Sequence, residues 1–84
     1  MNINTIRILI NIDKKDIVYL NSIIDSYEGL AIMRTIDRKN GNVVIYTTEK
    51  NESTVINLLN AIKQEGVLLN IIMKEKSELL DTWI

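Results

Sequence analysis

The sequence predicts an α+β fold, a ferredoxin-like βαββαβ two-layer sandwich in which a four-stranded antiparallel sheet carries two helices on one face. Two observations carry that expectation. The apolar pattern switches between period two and period 3.6 in the order strand, helix, strand, strand, helix, strand. The glycines Gly29, Gly41 and Gly66 each fall where one pattern stops and the next begins, in a chain with no proline.

From Thr5 to Ile12, Ile6, Ile8, Ile10 and Ile12 alternate with Thr5, Arg7, Leu9 and Asn11, a β-branched period-two run that reads as a half-buried strand. Asp13 follows as a helix N-cap, with Asp16 favourably placed in the first turn. The helix it opens has the apolar stripe Ile17, Leu20, Ile24 and Tyr27, widened by Ile23, and Gly29 ends it in the left-handed position after the C-cap. Leu30 to Asp37 and Val43 to Thr48 are the next two strands, joined through Asn40-Gly41 as a two-residue type I′ hairpin. That turn pairs Ile36 with Ile45, Thr35 with Tyr46 and Met33 with Thr48. It puts Leu30, Ile32, Ile36, Val43 and Ile45 on one face, and Ala31, Met33, Thr35, Val44 and Tyr46 on the other.

Asn51 or Ser53 caps the second helix, whose stripe is Val55, Leu58, Leu59 and Ile62 before Gly66 closes it. Val67 to Met73 is the last strand, with Val67, Leu69, Ile71 and Met73 on one side and Leu68, Asn70 and Ile72 on the other. The reading is one domain over residues 1–76 and a tail over 77–84, two helical turns presenting Leu80, Trp83 and Ile84 that need a docking surface to persist. Right-handed crossovers put both helices on one side of the sheet. The open side then carries Leu9, Met33, Val44, Tyr46, Leu68 and Ile72 among Arg7, Thr35 and Asn70, too apolar a set for a solvated face, so the tail or a second subunit is expected to cover it.

Composition excludes several functions. With 84 residues the chain makes one small domain, and its formal net charge of −1, with acids interspersed among the basic residues, gives no stripe for a phosphate backbone. Without cysteine or histidine there is no disulfide, no thiolate or imidazole metal site and no imidazole base for Ser22, Ser26, Ser53 or Ser77. Asp13, Asp16, Asp37, Glu49 and Glu52 occupy polar, turn-rich contexts that do not separate the pKa values of an acid/base pair. The expectation is therefore no enzyme, no catalytic residue, no metal and no cofactor. No apolar run approaches the length of a membrane span and the first residues lack a charged leader region, which reads as a cytoplasmic protein. Nucleic acid is disfavoured as a partner, since the first strand lacks the aromatics on which RNA-recognition sheets stack bases.

Two surfaces remain as candidate sites. At Asn11, Asp13, Lys14, Lys15 and Asp16 the end of a central strand meets a helix start, where free amides and two lysines favour a small anion or an amino acid; a plain cap and a solvated turn is the bland alternative. On the open face, Leu9, Met33, Tyr46 and Ile72, with Leu80 and Trp83 of the tail, form a candidate interface for a homodimer. Arg34, Arg38 and Lys39 make the hairpin locally basic, with Asp37 beside them.

The stretches Asp16-Ile17-Val18-Tyr19-Leu20, Tyr27-Glu28-Gly29-Leu30-Ala31 and Arg34-Thr35-Ile36-Asp37, with Gly41, resemble a family of short bacterial proteins catalogued as domain of unknown function 4911, over Asp16 to Val67. The element order and the Asp13-x-x-x-Ile17-x-x-Leu20 spacing also resemble, more distantly, the amino-acid-binding regulatory ACT domains. Those domains usually carry Pro-Gly before the first helix, where this chain has Lys15-Asp16. The first resemblance brings no activity; the second implies a dimerising, ligand-sensing regulatory module. The alternative is a pure protein-interaction module using the open face and the tail.

Overall fold

The structure, a computed structural model, describes residues 5–77. Strand β1 (Thr5–Ile12) leads through a 3-10 turn (Lys14–Asp16) into α1 (Ile17–Ser26); β2 (Ala31–Asp37) and β3 (Asn42–Thr48) form a hairpin; α2 (Glu52–Gln64) and β4 (Leu69–Ser77) follow. The four strands make one antiparallel sheet in the order β2-β3-β1-β4. Tail positions Leu80 and Trp83 lie outside the described residues.

The core is aliphatic and one-sided. Ile6, Ile8, Ile10 and Ile12 of β1 and Val43 and Ile45 of β3 are buried against Ile17, Leu20 and Ile24 of α1 and Val55, Leu59 and Ile62 of α2. β-branched side chains at every second position fill this layer because successive residues of a strand point to opposite faces. Thr47 is buried with them, its hydroxyl donating to the Leu30 carbonyl at 2.8 Å.

Several local expectations are corrected. Asp13 caps the 3-10 turn rather than α1: its Oδ1 accepts from the Lys15 amide at 3.2 Å, and α1 starts at Ile17. Tyr27, placed in the buried stripe from its spacing, is the C-cap, has extended backbone and is 48% exposed. Gly29 does not end the helix. It is the third residue of a turn closed by Leu30 N–H to the Tyr27 carbonyl, where φ of +73° is the positive value a type II turn requires. Asn51 precedes α2, but its side chain makes no capping bond; its Nδ2 reaches the Gly29 carbonyl at 3.4 Å.

The hairpin differs most. Type I′ needs positive φ at both central residues, and Gly41 has it (+73°) while Asn40 does not. The connection is instead the loop Arg38, Lys39, Asn40 and Gly41, closed by Gly41 N–H to the Arg38 carbonyl. Ala31 pairs with Thr47, Met33 with Ile45 and Thr35 with Val43, and a bulge at Ile36 separates these from Asp37 opposite Asn42. An odd register shift turns a strand over. Met33 and Ala31 therefore pack on the helix-side core, with Thr35 on the same side, while Ile32 and Arg34 lie on the open face.

A second bulge repeats the effect in β4. Ile12 pairs with Leu69 and Ile10 with Ile71, but beyond Ile72 the register steps, so Leu9 pairs with Met73, Ile8 with Lys74, Arg7 with Glu75 and Ile6 with Lys76. Met73 is thereby moved to the open face, against its expected side, and Leu68 lies before the strand. Strand β4 also runs to Ser77, past the expected end at Met73. Its extension is held by charge pairs: Lys74 with Glu52 at the start of α2, and Lys76 Nζ with Glu49 at 3.2 Å.

Candidate functional site

The two candidate surfaces fare differently. In the first loop, Asp13 N–H donates to the Leu68 carbonyl at 3.0 Å and the Asp13 carbonyl accepts from Asp16 at 2.8 Å, so backbone bonds tie the turn to the segment before β4. Lys14 and Lys15 are exposed, and Asp16 stands at the α1 N-cap without a side-chain bond. Asn11 is not part of this cluster. As an odd position of β1 it projects from the open face, where its Nδ2 donates to the Asn40 carbonyl at 2.6 Å and to Asn42 Oδ1 at 3.0 Å. If Asp13 serves the turn alone, Asp13→Ala lowers stability by about 0.5–2 kcal/mol and Asp13→Asn is tolerated. Denaturant midpoints of the two variants check this, and equal losses would refute it.

The hairpin loop is organised by Asp37. Its Oδ2 accepts from Asn40 Nδ2 at 2.6 Å and its Oδ1 from the Asn40 amide at 3.3 Å. Those bonds favour the charged form, the Asn40 side chain most, so the carboxyl titrates below its ordinary value. A depressed carboxyl contributes stability at pH values above the unfolded-state pKa, and this is lost as pH falls through the folded-state value. Asp37→Ala is accordingly expected to be less stable than the parent at pH 7, with the gap closing on acidification below the ordinary carboxyl range. Paired urea titrations at pH 7 and pH 3 read this out.

The open face has an order that the pairings make explicit. One row across the sheet is Ile32, Tyr46, Arg7 and Glu75; the next is Arg34, Val44, Leu9 and Met73; the third is Asn42, Asn11 and Asn70. Apolar side chains thus occupy the middle, an ion pair between Arg7 and Glu75 lies on one side, and amides lie on the other. Between them is a cleft of about 220 Å³ lined by Arg7, Leu9, Ile36, Val44, Met73 and Glu75. Ile36, displaced by its bulge, and Met73, displaced by the other, are 53% and 50% exposed.

Of the residues expected at an interface, Leu9 and Tyr46 are on this face; Met33 is on the helix side; Ile72 sits at the β4 bulge, exposed. Ile32, Ile36, Met73 and Glu75 were not foreseen there. Only Glu75 had a signal, the alternation Lys74-Glu75-Lys76, which continues a strand past Met73 with opposite charges on opposite faces.

Elsewhere, the Tyr19 hydroxyl donates to Glu65 Oε1 at 2.8 Å, linking α1 to the end of α2, and that bond raises the phenol's pKa. Among the described residues no group of three or more His, Cys, Asp or Glu is placed to hold a metal ion, and no helix is long and apolar enough to cross a membrane. A family model described as "Domain of unknown function (DUF4911)" matches residues 10–65, which takes in the first loop, both helices and the hairpin but not Arg7, Leu9 or β4. No curated protein and no solved structure matches the chain.

Proposed function

The chain belongs to the family described as a domain of unknown function (DUF4911), and from that premise we propose that it is a ferredoxin-like, ACT-like regulatory module without catalysis, acting by binding a second copy of itself through the open sheet face. The strand order, with both helices packed on the even-numbered side of β1, supports the ferredoxin-like assignment. The observation that carries the functional reading is the arrangement of rows on the other side.

A face that binds its own copy must be complementary to itself under a two-fold axis. With that axis lying along the strands between β1 and β3, β2 of one copy faces β4 of the other. Row by row, Val44 then meets Leu9, Arg7 lies over Tyr46, and the exposed Arg34 lies over Met73, one row away from Glu75. No like charges meet, and a guanidinium over a phenol ring is itself attractive. Ligand sensing at residues 11–16 is less well supported, because Asn11 projects from the other layer and Asp13 is engaged by its own turn.

Sedimentation tests the reading. The chain is expected to form dimers at tens to hundreds of micromolar; Leu9→Asp, which places a charge in the apolar row, is expected to be monomeric with unchanged circular dichroism. Arg34→Glu, which brings a second carboxylate within one row of the other copy's Glu75, weakens association more at low salt than at high salt. A chain that stays monomeric at several hundred micromolar, with or without residues 78–84, removes the reading.

A further inference from the structure

We infer that Asn40 is a self-modification site gated by the hairpin loop: while the loop is closed the Asn40 amide is held on Asp37, and on opening the Gly41 nitrogen attacks it, leaving an aspartate or isoaspartate that prevents the loop from closing again.

The chemistry needs only these two residues and water. The backbone nitrogen of the residue after an asparagine attacks the side-chain Cγ; an N–Cγ bond forms, the Cγ–Nδ2 bond breaks, and ammonia leaves carrying the proton that the nitrogen gave up. The resulting five-membered imide takes up one water and opens at either carbonyl, giving aspartate or isoaspartate. A side chain on the following residue hinders the attack, and glycine has none. In the sequence Asn40 is the one asparagine followed by glycine, whereas Asn11, Asn42 and Asn70 precede isoleucine or valine.

The closed loop opposes every step. Asn40 Nδ2 donates to Asp37 Oδ2 at 2.6 Å and its N–H to Asp37 Oδ1 at 3.3 Å, which keeps the side chain turned back toward a residue three positions earlier. The Asn40 carbonyl accepts from Asn11 Nδ2 at 2.6 Å, so the main chain is pinned as well. The attacking group is occupied: Gly41 is buried, and its N–H donates to the Arg38 carbonyl at 3.2 Å. Asp37, whose carboxyl titrates below its ordinary value, is charged at neutral pH and has no proton to lend the departing ammonia. Asn40 is nevertheless exposed in a surface loop, the kind of segment that opens locally at far lower cost than the whole domain.

The product does not fit the closed loop. With a carboxylate at position 40, two acids face each other where a donor and an acceptor stood 2.6 Å apart, and like charges so close disfavour each other. Isoaspartate also adds a carbon to the main chain just before Gly41, whose packing against the Ile12 carbonyl leaves no room even for a Cβ. The bonds given up, from Ile12 N–H to the Gly41 carbonyl and from Asn11 to Asn40, tie the loop to the end of β1 away from Thr5 and Ser77. The reaction therefore runs one way and loosens the hairpin end of the sheet.

Mass spectrometry with peptide mapping tests this on the full-length chain. Held at mildly alkaline pH, the folded protein is expected to convert Asn40 at least tenfold more slowly than the chain in concentrated urea, where Asn40 is expected to be the first asparagine converted. Asp37→Ala is expected to raise the rate in the folded protein at least fivefold, and Asp13→Ala, which removes a loop bond elsewhere, to leave it unchanged. Asn40→Asp is expected to have a lower urea midpoint than Asn40→Ala, which loses the same bond without adding a charge. An Asn40 that stays intact in urea overturns the site, and equal rates in the folded and urea-treated chains overturn the gating. Equal acceleration by Asp37→Ala and Asp13→Ala overturns it too, because the reaction would then pass through global unfolding. An Asn40→Asp midpoint at or above that of Asn40→Ala overturns the one-way closure.

Discussion

Replacing Gly41 with alanine is expected to lower stability by at least about 3 kcal/mol, enough to leave much of so small a domain unfolded at room temperature. Two costs coincide at this position. Its φ of +73° is the left-handed value that costs a residue with a Cβ about 1–2 kcal/mol. In addition, a Cβ there would lie 1.9 Å from the Ile12 carbonyl oxygen, which is main chain and cannot swing aside. Relief requires the hairpin loop to leave the end of β1, breaking the 2.9 Å bond from Ile12 N–H to the Gly41 carbonyl and disturbing the Asn11 bonds to Asn40 and Asn42. Gly29 is the internal control. It has the same φ, but a Cβ there meets nothing within 4 Å, so Gly29→Ala should cost only the conformational part, about 1–2 kcal/mol. Urea midpoints of the two variants separate the effects; equal losses would mean that the Ile12 contact is unimportant.

Ile10→Asp should prevent folding altogether. Ile10 is fully buried, and its partners across the ladders are Val43 and Ile71, so a carboxylate there has no cation or donor beside it. An unpaired buried charge costs far more than the few kcal/mol by which a small domain is stable. Ile10→Val keeps the shape and should cost about 0.5–1.5 kcal/mol. Far-UV circular dichroism and amide dispersion in proton spectra read the outcome; a folded Ile10→Asp chain would mean that the even positions of β1 do not face the core. The contrast with Leu9→Asp, one residue away and expected to fold, is what a period-two strand with one covered face demands.

Those two positions also show what was legible beforehand. The alternation of Ile6, Ile8, Ile10 and Ile12 admits one period, and the spacing of Ile17, Leu20 and Ile24, or of Val55, Leu59 and Ile62, admits another, so the elements and most of the core follow from local pattern. In β2 the pattern is ambiguous, because Ile32 and Met33 are adjacent apolar residues and either can face the helices. A single missed bulge then decides every side chain of the strand. The bulges at Ile36 and Ile72 arise from the loop conformation at Gly41 and from pairing with β1, neither of which leaves a mark in the local sequence. The open face inherited those errors: Leu9, Val44 and Tyr46, on strands whose register was not in question, were placed correctly, whereas Met33 and Met73 exchanged sides.

The order of strands has a consequence for how the chain is made. The hairpin of β2 and β3 joins residues close in sequence, but β1 lies between β3 and β4, and the β1–β4 ladder joins Thr5 to Ser77. Contacts of such separation form late and slow the folding of the whole domain. During synthesis from the amino end, β1 can pair with β3 once Thr48 is present, yet its other edge stays without a partner until residues 69–77 follow. For that interval Thr5–Ile12 is an exposed isoleucine-rich strand edge, the kind of surface that recruits other chains. The bulge, the lysines and the carboxylate of β4 therefore guard the finished edge, while the nascent chain depends on β4 arriving promptly.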